Sequence, residues 1–136
     1  MHAFAYGLLI FLADQWSKKT IREHAANRVI ALGPLLRLRL TAHHRSLYQE
    51  RGSRAALALT WVSALVFAAI LHRTGPWFQS WAALMGLGLA FGGSASNLLD
   101  ILRRRYVIDF IDLGWWPVFN LADVAIVAGL AAAFIW

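Results

Sequence analysis

Residues 55–71 read AALALTWVSALVFAAIL, seventeen residues without a charged side chain. A helix rises about 1.5 Å per residue, so this stretch is just long enough to cross the apolar core of a bilayer. Residues 72–76 then read HRTGP, which indicates a short turn. The next apolar stretch begins at Trp77, stays uncharged until Asp100, and should run back antiparallel to the first. These two stretches predict a membrane protein built from helices.

The composition of the whole chain agrees with lipid as its solvent. Of the 136 residues, 60% are hydrophobic and 15% are charged, whereas soluble domains have roughly 45–50% and about 25%. A soluble domain of this size could not bury so many apolar side chains. We therefore expect one integral-membrane domain over residues 1–136. The net charge of +6 suits nucleic acid or anionic lipid, and we expect lipid and no nucleic acid, because the basic residues flank the apolar spans.

Four transmembrane helices are expected, near residues 2–25, 54–72, 77–100 and 119–136, because backbone groups in lipid must be satisfied within each element. The third contains GLGLAFGGSAS, whose small residues let helix backbones approach closely. Two segments connect these spans. Residues 36–41 read LRLRLT, an alternation that predicts a strand within a small sheet over residues 28–53. Residues 100–118 combine three arginines with aromatic side chains, which indicates an interfacial segment at headgroup depth.

Four of the seven acidic residues lie in or close to the ends of these spans. If the helices are antiparallel, all four converge on one membrane face: Asp14, Asp100, Asp109 and Asp123. Ionisable side chains at membrane depth are costly and are by default functional or paired. Pairing with nearby lysines and arginines, or helix capping, is the structural alternative. Their clustering on one face favours a functional site.

The spacing N-x-x-D occurs twice, at Asn97–Asp100 and at Asn120–Asp123. Residues at i and i+3 share one face of a helix, and an asparagine amide can donate to a carboxylate or hold a substrate carbonyl. Two carboxyl groups in an apolar site cannot both ionise cheaply. Such a pair suits a reaction in which one base activates water and one acid protonates a leaving amine. The pattern therefore favours the chemistry of an aspartyl protease.

Three blocks near the end of the chain resemble signal peptidase II, the lipoprotein signal peptidase. They are GGSASNLLD (residues 92–100), VIDFIDL (107–113) and FNLADVAIVAG (119–129), beside the GGxxGNxxDR, VVDF and FNxAD blocks of that family. Asp14, Gln15 and Lys18 resemble its DQxxK motif. The resemblance implies an intramembrane aspartyl endopeptidase that removes signal peptides from diacylglyceryl-modified prolipoproteins, with Asp109 and Asp123 as the catalytic pair. The substrate-binding or supporting residues that it implies are Asp14, Lys18, Asn97, Asp100, Asn120 and Arg45.

The same resemblance implies a fold, a location and partners. Residues 28–53 would form an extramembrane β-cradle and residues 100–118 a periplasmic helix. The chain would be a multi-pass protein of the bacterial cytoplasmic membrane, a monomer in contact with phospholipids, with its active site on the periplasmic or outer face. The positive-inside rule counts against this orientation, because residues 18–54 hold nine lysines and arginines on the active-site face. We follow the family, since several of these cations can pair with aspartates or headgroups.

The chain departs from the family pattern at two places. Ser96 replaces the glycine before the asparagine, and Ile101 replaces the arginine after the aspartate. Residues 40–48 read LTAHHRSLY where the family has N-x-G-A-A-F after LT, so that Arg45 and Leu47 stand where asparagine and glycine are expected. These changes affect substrate binding more than bond cleavage and indicate a divergent or paralogous member.

Two other functions fit the same sequence. One is a catalytically weak or inactive paralogue that binds lipoproteins. The other is a small four-helix proton-coupled exporter with Asp14 as its coupling carboxylate, a hypothesis that leaves both N-x-x-D pairs unexplained. No cofactor or metal is expected, because cysteine is absent and the adjacent His43 and His44 would point to opposite faces of a strand.

Overall fold

The computed structural model describes residues 2–24, 29–43, 51–76 and 78–135. Within these ranges the chain forms four helices and three strands, which confirms the expected helices and the small sheet. Their order is α1 (His2–His24), β1 (Ile30–Ala31), β2 (Arg37–His43), α2 (Arg51–Thr74), α3 (Trp81–Arg104), β3 (Val107–Asp112) and α4 (Leu121–Ile135).

Helix α3 lies between α1 and α4 and packs closely against both. On one side, a Cβ atom added to Gly86 would meet the carbonyl oxygen of Gly129 on α4, and one added to Gly129 would meet that of Gly86. On the other side, a Cβ atom on Gly88 would meet the backbone of Ala3 on α1. The glycines therefore permit backbone contacts that any larger residue would block.

Helix α2 stands on the outside and packs against α3, in part through Trp61. The indole Nε1 of Trp61 donates to Ser94 Oγ at 2.8 Å, and its ring packs edge to face on Phe91. Among the described helices, α2 and α3 are long and apolar enough to cross a membrane, and α4 is apolar but shorter. Large apolar side chains are exposed on all four helices, as expected for a surface that faces lipid.

The sheet has the order β1-β2-β3, and both pairings are antiparallel. The predicted alternation of β2 is confirmed: Leu38 and Leu40 pack against buried Ile21 and Phe110. On the opposite face, Arg39 Nε lies 3.3 Å from Asp112 Oδ2 on β3. The sheet therefore rests its apolar side on the end of α1.

The expectation of a periplasmic helix over residues 100–118 is wrong, while the interfacial position of this segment stays a prediction. Helix α3 continues to Arg104, and Val107–Asp112 then form β3, the third strand of the sheet. The run VIDFID buries Ile108 and Phe110 and supplies the ladder partner that β2 needs. The sheet boundaries differ as well, because residues 51–53 belong to α2.

Candidate active site

The four aspartates predicted to converge lie in one hydrogen-bonded polar cluster, where the middle of α1 meets the C-terminal end of α3 and the start of α4. Asp14 comes from α1, Asp100 from α3, Asp109 from β3 and Asp123 from the first turn of α4. Asp14 and Asp100 are 0% exposed and Asp109 is 7% exposed. The antiparallel order of the helices brings these side chains together, as the sequence predicts.

A buried lysine neutralises two of the four carboxylates. The Nζ atom of Lys18 lies 2.6 Å from Asp14 Oδ2 and 2.8 Å from Asp100 Oδ2, and Lys18 is 1% exposed. Arg104, one turn after Asp100, also forms an ion pair with that carboxylate. Two cations thus face two anions, and such a balance is required because an unpaired buried charge is strongly destabilising.

Asp14 also connects three helices through hydrogen bonds. Ser96 Oγ on α3 donates to Asp14 Oδ2 at 2.7 Å, and the backbone N–H of Ala122 on α4 donates to Asp14 Oδ1 at 2.9 Å. The amide of Gln15 donates to Ser96 Oγ at 2.8 Å and to Asp100 Oδ1 at 3.1 Å. A carboxylate at the N-terminus of α4 is also favoured by the helix dipole. Asp14 therefore fixes how α1, α3 and α4 meet.

Two asparagines connect this buried cluster to Asp109 and Asp123. The amide nitrogen of Asn120 donates to Asp109 Oδ1 at 2.8 Å, and that of Asn97 donates to Asp123 Oδ1 at 2.8 Å. The amides also contact each other, since Asn120 Nδ2 lies 3.1 Å from Asn97 Oδ1. Asn97 Oδ1 in turn accepts from Lys18 Nζ at 2.9 Å. Each aspartate is thus held by one amide of a connected pair.

The second N-x-x-D pair forms a helix cap. Asn120 precedes α4, and its Oδ1 accepts from the backbone N–H of Asp123 at 2.9 Å. Asp123 Oδ2 accepts from the backbone N–H of Asn120 at 3.1 Å. This reciprocal pattern is a capping box. The expectation that Asn120 and Asp123 share a helix face is therefore wrong, because α4 begins only at Leu121.

A short backbone bridge holds this cap against β3. The carbonyl of Phe119 accepts from the backbone N–H groups of Phe110 and Ile111 at 3.0 and 2.8 Å, and Phe119 donates to the carbonyl of Ile111 at 3.1 Å. In the β2–β3 pairing, Thr41 stands opposite Asp109, next to an irregularity in the register. The bridge accounts for the contact between Asn120 and Asp109, which come from different elements.

Five of the supporting residues predicted from the sequence lie in this cluster: Asp14, Lys18, Asn97, Asp100 and Asn120. Arg45 lies outside the described residues. Gln15 and Ser96 were not predicted as site residues, and Arg104 was expected only among the arginines that could pair with the aspartates. Helical spacing could have identified two of them, because Ser96 and Arg104 stand four residues before and after Asp100 and share its helix face.

Comparison with known proteins gives a family match over nearly the whole chain. Residues 6–136 match the family model described as signal peptidase (SPase) II. Two curated relatives named lipoprotein signal peptidase are 44% identical over 90 residues (Syntrophomonas wolfei; 60% of this chain and 58% of the relative) and 37% identical over 108 residues (Rhodococcus jostii; 72% and 52%). The chain thus spans about half the length of the curated relatives it matches.

Solved structures show the same fold. One, a bacterial membrane enzyme determined by the in meso method, superposes with a TM-score of 0.82 at 18% sequence identity, over 99% of this chain and 96% of the other. A second bacterial membrane enzyme gives a TM-score of 0.79 at 18% identity, over 98% and 85%. The arrangement of helices and sheet is therefore shared with membrane enzymes of distant sequence.

Proposed function

The chain belongs to the signal peptidase II family, and from this membership we propose that it is an intramembrane aspartyl endopeptidase. Its substrates are diacylglyceryl-modified prolipoproteins, from which it removes the signal peptide. Asp109 and Asp123 form the catalytic dyad, and water is the nucleophile. The chain acts as a single integral-membrane domain over residues 1–136 and as a monomer.

The observation that carries this proposal is the connected pair of asparagines. Asn120 holds Asp109 and Asn97 holds Asp123, each at 2.8 Å, and the two amides lie 3.1 Å apart. Carboxyl groups oriented in this way are suited to act on one water molecule, as a base must reach its proton directly or through one water. If Asp123 served only to cap α4, its hydrogen bonds with Asn120 would be sufficient. The cap does not account for the additional hydrogen bond that Asp123 accepts from Asn97.

In the proposed reaction, one dyad carboxylate takes a proton from water as the water oxygen attacks the carbonyl carbon before the modified cysteine. The other carboxyl group gives its proton to the amide nitrogen, and the C–N bond breaks. The products are a signal peptide with a new carboxylate and a lipoprotein with a free amine on its lipid-modified cysteine. Asn97 and Asn120 orient the two carboxyl groups, while the buried cluster around Lys18 holds the helices that carry them.

We further propose that all four helices cross the bacterial cytoplasmic membrane and contact its phospholipids, with the dyad on the periplasmic or outer face. Exposed apolar side chains on each helix support this arrangement, among them Leu9, Phe67, Trp81 and Phe134. The shared fold with membrane enzymes supports it as well. No observation on the described residues favours binding of nucleic acid over binding of lipid.

The test is cleavage of a defined substrate by purified protein in lipid. A prolipoprotein peptide with a diacylglyceryl cysteine should give two fragments by mass spectrometry, one of which begins with the modified cysteine. Comparing the cleavage of this peptide with that of the same peptide without the lipid shows whether the enzyme recognises the diacylglyceryl group. An Asp123→Asn variant is the matched control, because it keeps the shape of the side chain and cannot transfer a proton. Binding of the lipid peptide without any cleavage by the unmodified chain would favour the inactive paralogue instead.

A further inference from the structure

A cleft of about 610 Å³ lies where the end of α1 meets the end of α3. Its walls are formed by one face of α1, from Leu12 to Glu23, and by Arg104 of α3. Neither Asp109 nor Asp123 lines it. The cleft borders the buried cluster through Gln15 and Arg104, which also contact Asp100.

The cleft changes from apolar to basic along α1. Leu12 and Trp16 form its inner part and are 56% and 70% exposed. Lys19 and Arg22 form its outer part, and Leu12 and Arg22 are about 15 Å apart along the helix axis. An exposed tryptophan next to cations is typical of the depth at which hydrocarbon gives way to headgroups. The cleft thus spans the boundary at which a phospholipid carries its phosphate.

The cations at the outer part of the cleft are not balanced by the buried cluster. There, Lys18 and Arg104 already offset Asp14 and Asp100. Glu23 is the acid that lines the cleft, and its Oε1 lies 3.9 Å from Lys19 Nζ in an exposed pair, which contributes little. The cleft therefore carries surplus positive charge.

The surplus of positive charge continues onto the neighbouring C-terminal end of α3. Within the described ranges, it occurs at this end of the helices and not at the opposite one. Arg103 and Arg105 are exposed beside Arg104. Among the described residues, Arg73 is the one lysine or arginine at the opposite helix ends. A basic end of this kind is attracted to anionic lipid in the adjacent leaflet.

We propose that this cleft binds one anionic phospholipid, whose phosphate is held by Lys19 and Arg22. Trp16 lies beside the glycerol region, and Leu12 packs against an acyl chain. Lysine and arginine form strong charge-assisted hydrogen bonds to phosphate, and basic pockets between transmembrane helices bind acidic headgroups. Selectivity follows from net charge, because the choline cation of a zwitterionic lipid offsets the negative charge of its own phosphate and is repelled by the two cations. The inference rests on the membrane location proposed above and is independent of peptide cleavage.

The experiment is native mass spectrometry of the full chain after equilibration with equal amounts of phosphatidylglycerol and phosphatidylcholine. One phosphatidylglycerol molecule should be retained in preference to phosphatidylcholine. Lys19→Gln and Arg22→Gln should each lower that preference roughly fivefold, the equivalent of about 1 kcal/mol per charge at a membrane surface. Lys19→Arg and Arg22→Lys should keep it, because the charge is preserved. Arg73→Gln is the matched control at the opposite helix ends and should leave the preference unchanged.

Three results would overturn the proposal. Equal retention of both lipids by the unmodified chain would mean that no anionic site exists. If Arg73→Gln lowered the preference for phosphatidylglycerol as much as the cleft variants do, the preference would reflect the net charge of the protein rather than a site in the cleft. Displacement of phosphatidylglycerol by millimolar inorganic phosphate would assign the cleft to a small free anion. Peptide cleavage should be measured on the same samples, so that loss of lipid preference can be distinguished from loss of the proposed peptidase activity.

Discussion

Asn97 on α3 and Asp123 on α4 are joined by a hydrogen bond of 2.8 Å, from the amide nitrogen of the asparagine to Oδ1 of the aspartate. The oxygen of the same amide accepts from the buried ammonium group of Lys18 at 2.9 Å. Because an ammonium group can only donate, Lys18 fixes which end of the amide faces Asp123. A residue of α1 thus orients an aspartate of α4 that it does not contact.

Asn97→Ala should therefore lower the cleavage rate far more than the affinity for substrate. Loss of the amide frees the Asp123 carboxyl group to rotate, and a misplacement of about 1 Å can lower a rate about 100-fold. Steady-state kinetics on the lipid peptide separate kcat from KM. Ser94→Ala on the same helix is the matched control, because Ser94 bonds Trp61 rather than the site. A rise in KM with unchanged kcat would contradict the positioning role.

Asn120 has two roles, which two substitutions can separate. Asn120→Ser keeps an oxygen that can cap α4 but loses the nitrogen that donates to Asp109. Asn120→Ala loses both and should cost about 1 kcal/mol of stability, the usual value of a helix cap. Thermal unfolding should therefore distinguish the two variants, while both should be equally defective in cleavage. Full activity in Asn120→Ser would show that the bond to Asp109 is dispensable.

Lys18→Met should destabilise the fold by about 3–5 kcal/mol, because it leaves the buried Asp14 carboxylate without its cation. Adding Asp14→Asn to that variant should restore part of the loss by removing that charge. Unfolding monitored in a constant lipid environment measures both effects. Arg73→Met is the control, since this side chain is exposed at the opposite helix ends, and it should unfold as the unmodified chain does. Equal effects of the Lys18 and Arg73 substitutions would contradict the account of the buried cluster.

The convergence of the aspartates was predictable because antiparallel helices leave little freedom. Once four antiparallel spans are assigned, one membrane face must hold four of their ends. These are the C-terminal ends of the first and third spans and the N-terminal ends of the second and fourth. This logic places Asp14, Asp100 and Asp123 correctly without any knowledge of packing. The alternation of leucine and arginine in β2 similarly predicts its strand, because the period of two is a local property.

Features that depend on distant partners were not predictable in the same way. Residues 107–112 form a strand because β2, more than sixty residues earlier, pairs with them, and their own composition is equally compatible with an interfacial segment. Asn120 was expected on a helix face because the N-x-x-D spacing is the same inside a helix and at its start. The role of Gln15 depends on the contact between α1 and α3, which spacing within one helix does not reveal.

Asp14→Asn separates the peptidase from the proton-coupled exporter. Asp14 is 0% exposed and accepts hydrogen bonds from Ser96 and Ala122, so it joins three helices at a position without contact to solvent. We expect a partial defect in peptide cleavage, expressed through helix packing. An exporter requires the opposite ranking, with Asp14→Asn abolishing proton-driven efflux and the changes at Asp109 and Asp123 tolerated. Efflux and cleavage measured on the same three variants decide between them.

The dyad itself is tested most directly by single-turnover cleavage of the lipid peptide by Asp109→Asn, Asp123→Asn and the double variant. Asparagine is nearly isosteric with aspartate, so all three should bind the peptide as the unmodified chain does. Each single substitution should lower the rate by at least about 1,000-fold, and the double variant should be no slower than either, because residues that act as a unit are not additive. Multiplying losses in the double variant, or substantial cleavage by either single variant, would contradict a dyad of Asp109 and Asp123.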